Sequence, residues 1–93
     1  MNKNYVRGRA NEYKTMGILE AVGYNCFRSA GSHGPFDVIG ISKRGIILVQ
    51  VKTNGQPSPA DMETMRDFPA PSNATKLVYC FNTGTRLPVV REI

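Results

Sequence analysis

The chain has no tryptophan, one histidine, two cysteines and no long apolar run. Each shortage excludes something. The longest aliphatic stretch, Ile46-Ile47-Leu48-Val49, falls far short of the ~20 residues a membrane-spanning helix needs. Neither a membrane span nor a membrane partner is expected. The N-terminal MNKNYVRGRANEY holds no apolar signal core, which argues against secretion and for a cytoplasmic, intracellular location. Cys26 and Cys80 stand far apart, form no CxxC pair and make no disulfide framework. They read as reduced thiols in strands. With His33 as the lone histidine, a His-rich zinc site is excluded. Any metal would be held by oxygen ligands, which suits Mg2+ or Mn2+.

What is present is short and basic. A chain of 93 residues buries roughly 60–65% of the surface its unfolded form exposes. That sustains one core, so residues 1–93 are expected to form a single domain with no cleft between lobes. Twelve Lys and Arg against seven Asp and Glu give a net charge of +5, and the pI is about 9.6. A small basic domain points first to nucleic acid.

The residue pattern predicts an α/β domain of order α-β-β-β-α-β-β, a central sheet flanked by helices. Residues 8–22 read as a helix stopped by Gly23, and residues 24–29 as a strand before a Gly-rich loop over 30–35. Residues 37–41 and 46–52 read as a hairpin across Ser42-Lys43-Arg44-Gly45. Its strands are apolar on both faces, which marks the middle of a sheet covered on two sides. Ser58-Pro59 is a helix start, with Asp61 and Glu63 near the positive end, and the helix runs to about Asp67. Residues 75–81 and 86–92 read as strands. Pro88 puts the last strand at an edge.

The hairpin gathers polar groups. With Ile41 opposite Ile46, the same register sets Asp37 opposite Gln50. Ile46, Leu48, Gln50 and Lys52 share one face, and Ile47, Val49 and Val51 the other. Asp37, Gln50 and Lys52 then emerge together at the end away from the turn, with opposed Cβ atoms about 4.5–5.5 Å apart. A carboxylate and an amide oxygen at that separation can hold a divalent ion. The plainer alternative is a frayed strand end with a solvated Asp37–Lys52 pair. On the first helix, Tyr5, Arg9, Glu12, Met16 and Leu19 recur at helical spacing. That stripe should face the sheet and lean Glu12 over the polar end of the hairpin. Asp37 and Glu12 would supply anionic oxygens, Gln50 a neutral one, and the Val51 backbone carbonyl a further ligand. Lys52 would orient water or stabilise charge on a phosphate.

These residues resemble the PD-(D/E)xK nuclease superfamily. A core helix carries Glu12, one strand begins with Asp37 in GPFDVIG, and the next carries Gln50-Val51-Lys52 in LVQVKTN. Within the superfamily the strings RGRANE and GYNCFRSAGSHGPFDVIG are most similar to the archaeal-type Holliday junction resolvases, called Hjc. The resemblance implies a restriction-endonuclease-like core with a mixed sheet. It implies a Mg2+-dependent endodeoxyribonuclease, with Mn2+ as the alternative ion, acting in DNA recombination and repair as a homodimer on four-way junctions in a phage or prokaryotic host cell. Carried over, Asp37, Gln50 and Glu12 are metal ligands and Lys52 is the catalytic lysine. Ser32 is a loop serine at the scissile phosphate. Arg7, Arg9, Arg28, Ser29 and His33 join Ser32 and Lys52 in DNA binding.

Two departures stand out. Gln50 occupies a place where most members have Asp or Glu, although Mrr-like nucleases also use Gln. It removes one negative charge and should weaken metal affinity. Phe36 separates Pro35 from Asp37, so the strict Pro-Asp pair is absent. Two alternatives follow. One is a related nuclease for flap, nicked or duplex DNA, of the VRR-NUC or Mrr-like kind. The other is a catalytically silent DNA-binding module.

Overall fold

The computed structural model describes residues 3–29 and 34–93, with side chains from Arg7 onward. Ser32 and His33 lie outside the described residues, as does the side chain of Tyr5. The elements are α1 (Lys3–Ala21), β1 (Asn25–Arg28), β2 (Val38–Ser42), β3 (Gly45–Thr53), α2 (Pro59–Asp67), β4 (Ala74–Phe81) and β5 (Val89–Glu92). Their order is the one the sequence predicts. Two boundaries differ. Helix α1 begins well before residue 8, and β5 is shorter than 86–92, because Pro88 offers no N–H to the ladder.

The five strands lie in the order β1-β2-β3-β4-β5. β1–β2, β2–β3 and β4–β5 pair antiparallel. β3 and β4 pair in parallel, the crossover being α2. Strand β3 is therefore central, as its two apolar faces require. The hairpin register is Ile41↔Ile46 through Val38↔Val49. At its turn, Gly45 has φ 140, and an added Cβ would collide with the Asn73 carbonyl of the chain entering β4. Only glycine suits both demands.

One face of the sheet packs Phe36, Leu48, Val78 and Cys80 against Met62 and Met65 of α2. The other packs Val38, Val49, Tyr79 and Phe81 against Leu19 of α1. Helix α2 starts with a complete capping box: Asp61 N–H donates to Ser58 Oγ (3.0 Å) and Ser58 N–H to Asp61 Oδ2 (3.3 Å). Met62 and Met65 are core residues, whereas Phe68 is more open and meets the Phe36 ring edge-on at 5.5 Å. Tyr79 and Phe81 are buried in the sheet. Both cysteines are free. No helix among the described residues is long and apolar enough to cross a membrane.

The seam of α1 differs from the expected stripe. Asn11, Thr15 and Leu19 are its buried residues, while Arg9, Glu12 and Met16 flank them, half-buried. Hydrogen bonds make the polar burial tolerable. Asn11 Nδ2 donates to Thr53 Oγ1 at 2.8 Å, and Thr15 Oγ1 donates to the Asn11 carbonyl at 2.8 Å. An apolar-only pattern passes over such residues, which rotates the expected face by about one position.

Candidate metal and phosphate site

The site forms where β2 ends beside the central strand. The regular ladder stops at Val38↔Val49. Asp37 N–H donates to the Val49 carbonyl at 2.8 Å, so Asp37 and Val38 both address Val49, as in a bulge. Asp37 is therefore not the straight cross-strand partner of Gln50, as the register arithmetic expects. The extra residue turns its carboxylate along β3, and Oδ2 accepts the Val51 N–H at 2.8 Å. On the other side, Ser29 N–H donates to the Asp37 carbonyl at 2.8 Å. The aspartate backbone is thus tied to β1 and β3 together.

Asp37 and Gln50 nevertheless come together. Both line one open cleft of about 550 Å³ with Gly34, Pro35, Asp61, Thr64 and Phe68. Gln50 Nε2 donates to the Pro35 carbonyl at 3.1 Å, which fixes the amide orientation, since an oxygen there would face another oxygen. Its Oε1 is buried without a hydrogen-bond partner among the described residues. An orphaned buried amide oxygen costs about 1–3 kcal/mol. A cation is the partner its lone pairs suit. Phe36, which interrupts the Pro-Asp pair, is buried beneath α2. It anchors the loop whose Pro35 carbonyl holds Gln50.

Lys52 follows on the same face of β3. Its Nζ lies 3.8 Å from Asp61 Oδ2 on α2. Asp61 belongs to the same cleft, and sequence reasoning had given it only a role at the helix start. The clue was available: α2 must cover the Leu48 face, which brings its first turn over Lys52. Glu12 approaches from the α1 side. Its Oε1 accepts from Arg28 Nε at 3.0 Å. Arg28 also donates to Tyr13 Oη at 3.2 Å and stacks over the Tyr13 ring. Arg28, expected at DNA, is thus held by a carboxylate and an aromatic ring. Of the other expected DNA contacts, Arg7 is exposed, and Arg9 and Ser29 are half-buried.

Burial pushes the Asp37 carboxyl above its usual range. The Val51 N–H opposes the shift, Glu12 adds to it, and Lys52 and Arg28 counter it. The aspartate thus feels both faces of the sheet: an anion and a cation from α1 and β1, and the lysine from β3. Among the described residues, no three His, Cys, Asp or Glu side chains gather as a metal cluster. The oxygens that line the cleft are of mixed kind, with the carboxylates of Asp37 and Asp61 beside the Gln50 amide.

No family model and no curated protein matches the chain. Among solved structures it is similar to the Hjc Holliday junction resolvase of Archaeoglobus fulgidus, an archaeal hyperthermophile. The TM-score is 0.70 at 20% identity, over 94% of this chain and 71% of the other. The chain has the restriction-endonuclease-like fold. With that fold, the bulge at Asp37, the Gln50-Val51-Lys52 run and Glu12 occupy the end of the sheet where two antiparallel strands part.

Proposed function

We propose that residues 1–93 form one nuclease domain of the PD-(D/E)xK superfamily. It hydrolyses DNA phosphodiesters with a divalent cation, and four-way junctions are its preferred substrate. The observation that carries this reading is the pairing of Asp37 with the unpartnered Gln50 Oε1 in one cleft beside Lys52. Likeness in fold to a junction resolvase supports the substrate class.

The donor set fits Mg2+ or Mn2+, which prefer hard oxygens. Asp37, Gln50 Oε1 and the Val51 carbonyl would hold the ion, and Glu12 would act on it directly or through water. A bound ion of this kind supplies Lewis acidity toward phosphate oxygen and lowers the pKa of bound water. The chain's own groups do the rest. Val51 N–H fixes one oxygen of Asp37 and leaves the other for a ligand. Lys52, held near the cleft by Asp61, is placed to donate to a phosphate oxygen as negative charge develops. Arg28 keeps the Glu12 carboxylate oriented. The net +5 charge favours a polyanion around this locally mixed field. A homodimer is expected, since one small unit cannot cover both arms of a junction.

The test is incubation of a labelled four-way junction with the protein and Mg2+ or Mn2+. Cleavage lost in Asp37→Asn supports the reading, and equal cleavage by the variant overturns it. Preferential cutting of linear duplex in competition would favour the flap, nicked or duplex alternative that Gln50 motivates.

A further inference from the structure

Two recesses beyond the Asp37 cleft open at the C-terminal end of β3. A groove is lined by Gly8, Val51, Lys52, Thr53 and Asn54. It shares Thr53 with a pocket of about 260 Å³ formed by α1, the end of β3 and the turn between β4 and β5. Lys52 reaches back to Asp61 of the cleft. The three hollows therefore form a track along the end of the central strand.

The pocket's lining sets basic and polar side chains around Phe81 at its base. From α1 come Arg7, Ala10, Asn11 and Lys14, spaced i, i+3, i+4, i+7 on one helix stripe. From the turn come Asn82, Thr83, Gly84 and Thr85. Among the described residues, two cations line it and no carboxylate does. Thr85 Oγ1 already donates to the Asn82 carbonyl at 2.8 Å, while the hydroxyls of Thr53 and Thr83 act as acceptors. Thr53 Oγ1 already accepts from Asn11 Nδ2 at 2.8 Å. Thr83 Oγ1 already accepts from Asn54 Nδ2 at 2.7 Å. Each accepts through one lone pair and keeps its O–H available to donate. The pocket is also firmly built. Asn54 sits at φ 53, a left-handed conformation that Asn tolerates. Its Oδ1 accepts the Thr83 N–H at 2.7 Å, so one side chain locks the exit of β3 to the turn.

We propose that this pocket seats a backbone phosphodiester of the bound DNA strand, with Arg7 and Lys14 as counter-charges and Thr53 and Thr83 as donors. It would hold the strand one or more nucleotides beyond the phosphate at Lys52. The inference rests on the nuclease reading for the identity of the strand. The pocket's chemistry requires only a multi-oxygen anion: two cations, two directed hydroxyls and no opposing carboxylate. Its volume equals that of several waters at ~30 Å³ each, which leaves room for a phosphate group without moving the protein.

The test is fluorescence anisotropy of the full chain with a 3′-labelled DNA junction in EDTA, which keeps the DNA intact, over a salt series. Arg7→Gln with Lys14→Gln should lower the slope of log K against log salt by about 0.7–0.9, the value for one lost phosphate contact. Lys43→Gln with Arg66→Gln removes equal charge away from the pocket and should change the slope far less. Ala10→Leu fills the pocket without changing charge and should weaken binding at every salt concentration. The proposal is overturned if the two double variants change the slope equally, or if Ala10→Leu binds like the wild type. A preference for 5′-phosphorylated over 5′-hydroxyl DNA that Ala10→Leu abolishes would also overturn it, because the pocket would then hold a chain end. Binding that follows the expected pattern in a protein that never cuts DNA would remove the nuclease reading and leave the pocket standing. Cutting with a flat response to these variants would do the reverse.

Discussion

Asp37 Oδ2 accepts the backbone N–H of Val51 at 2.8 Å, across a strand pair whose regular ladder has ended one residue earlier. A carboxylate that replaces a lost backbone partner is held in one orientation, yet burial raises its pKa. Position is gained at a cost in stability, and that conflict generates the first prediction.

The folded-state pKa of Asp37 lies above its ordinary value of 3.8. The folded state therefore binds more protons than the unfolded one between that value and the raised one. The stability contribution of Asp37 falls as pH rises through this window and stays lost at neutral pH. Asp37→Asn, which can still accept from Val51, should match or exceed the wild type in melting temperature at pH 7 without metal. Mn2+ should raise the melting temperature of the wild type and not of the variant. Differential scanning calorimetry checks both, and a variant markedly less stable than the wild type would contradict the account.

The charges around Asp37 can be tested one at a time. Glu12 pushes its pKa up, while Lys52 and Arg28 pull it down. Carboxyl NMR titration should therefore show a lower Asp37 pKa in Glu12→Gln and a higher one in Lys52→Met.

Gln50 supplies a neutral oxygen where a carboxylate would add charge. At about 4 Å a full charge pair is worth about 4 kcal/mol in an effective dielectric of 20, and much of that is offset by desolvation and repulsion from Asp37. Gln50→Glu should bind Mn2+ roughly tenfold more tightly, or about 1.4 kcal/mol. It should also lower the stability of the metal-free protein. Gln50→Leu should lose metal affinity. Isothermal calorimetry of the free protein reads all of these.

Lys52 and Asp61 are partly exposed, and a pair of that kind adds at most about 1 kcal/mol to the fold. Lys52→Met should leave the fold and Mn2+ binding intact. It should cut the cleavage rate by about 10²–10³-fold, the scale for removing one stabiliser of transition-state charge. Single-turnover kinetics at saturating metal provides the check.

Much of this architecture was legible in the residues. The Ile41–Ile46 register follows from two-faced apolar strands, and the start of α2 follows from Ser58-Pro59 with Asp61 three positions on. What escaped was polar burial. Asn11 and Thr15 are invisible to an apolar stripe because hydrogen bonds, not hydrophobicity, hold them inside. The bulge at Asp37 escaped because period-two arithmetic has no way to count an extra residue. Asp61 escaped as a partner of Lys52 because the crossover that brings α2 over β3 is a long-range relation. The Arg7–Lys14 pocket escaped for the same reason, since the turn after β4 closes it.

Asp37 and Gln50 are proposed to hold a divalent ion beside Lys52 for cleavage of branched DNA. The most direct measurement is single-turnover cleavage of a labelled four-way junction with Mg2+, by the wild type and by Asp37→Asn, with linear duplex of equal length as competitor. The account predicts metal-dependent junction cleavage by the wild type in preference to duplex, and none by the variant. Cleavage that persists in Asp37→Asn, or a wild type that binds the junction and leaves it intact with Mg2+ and Mn2+, would contradict it.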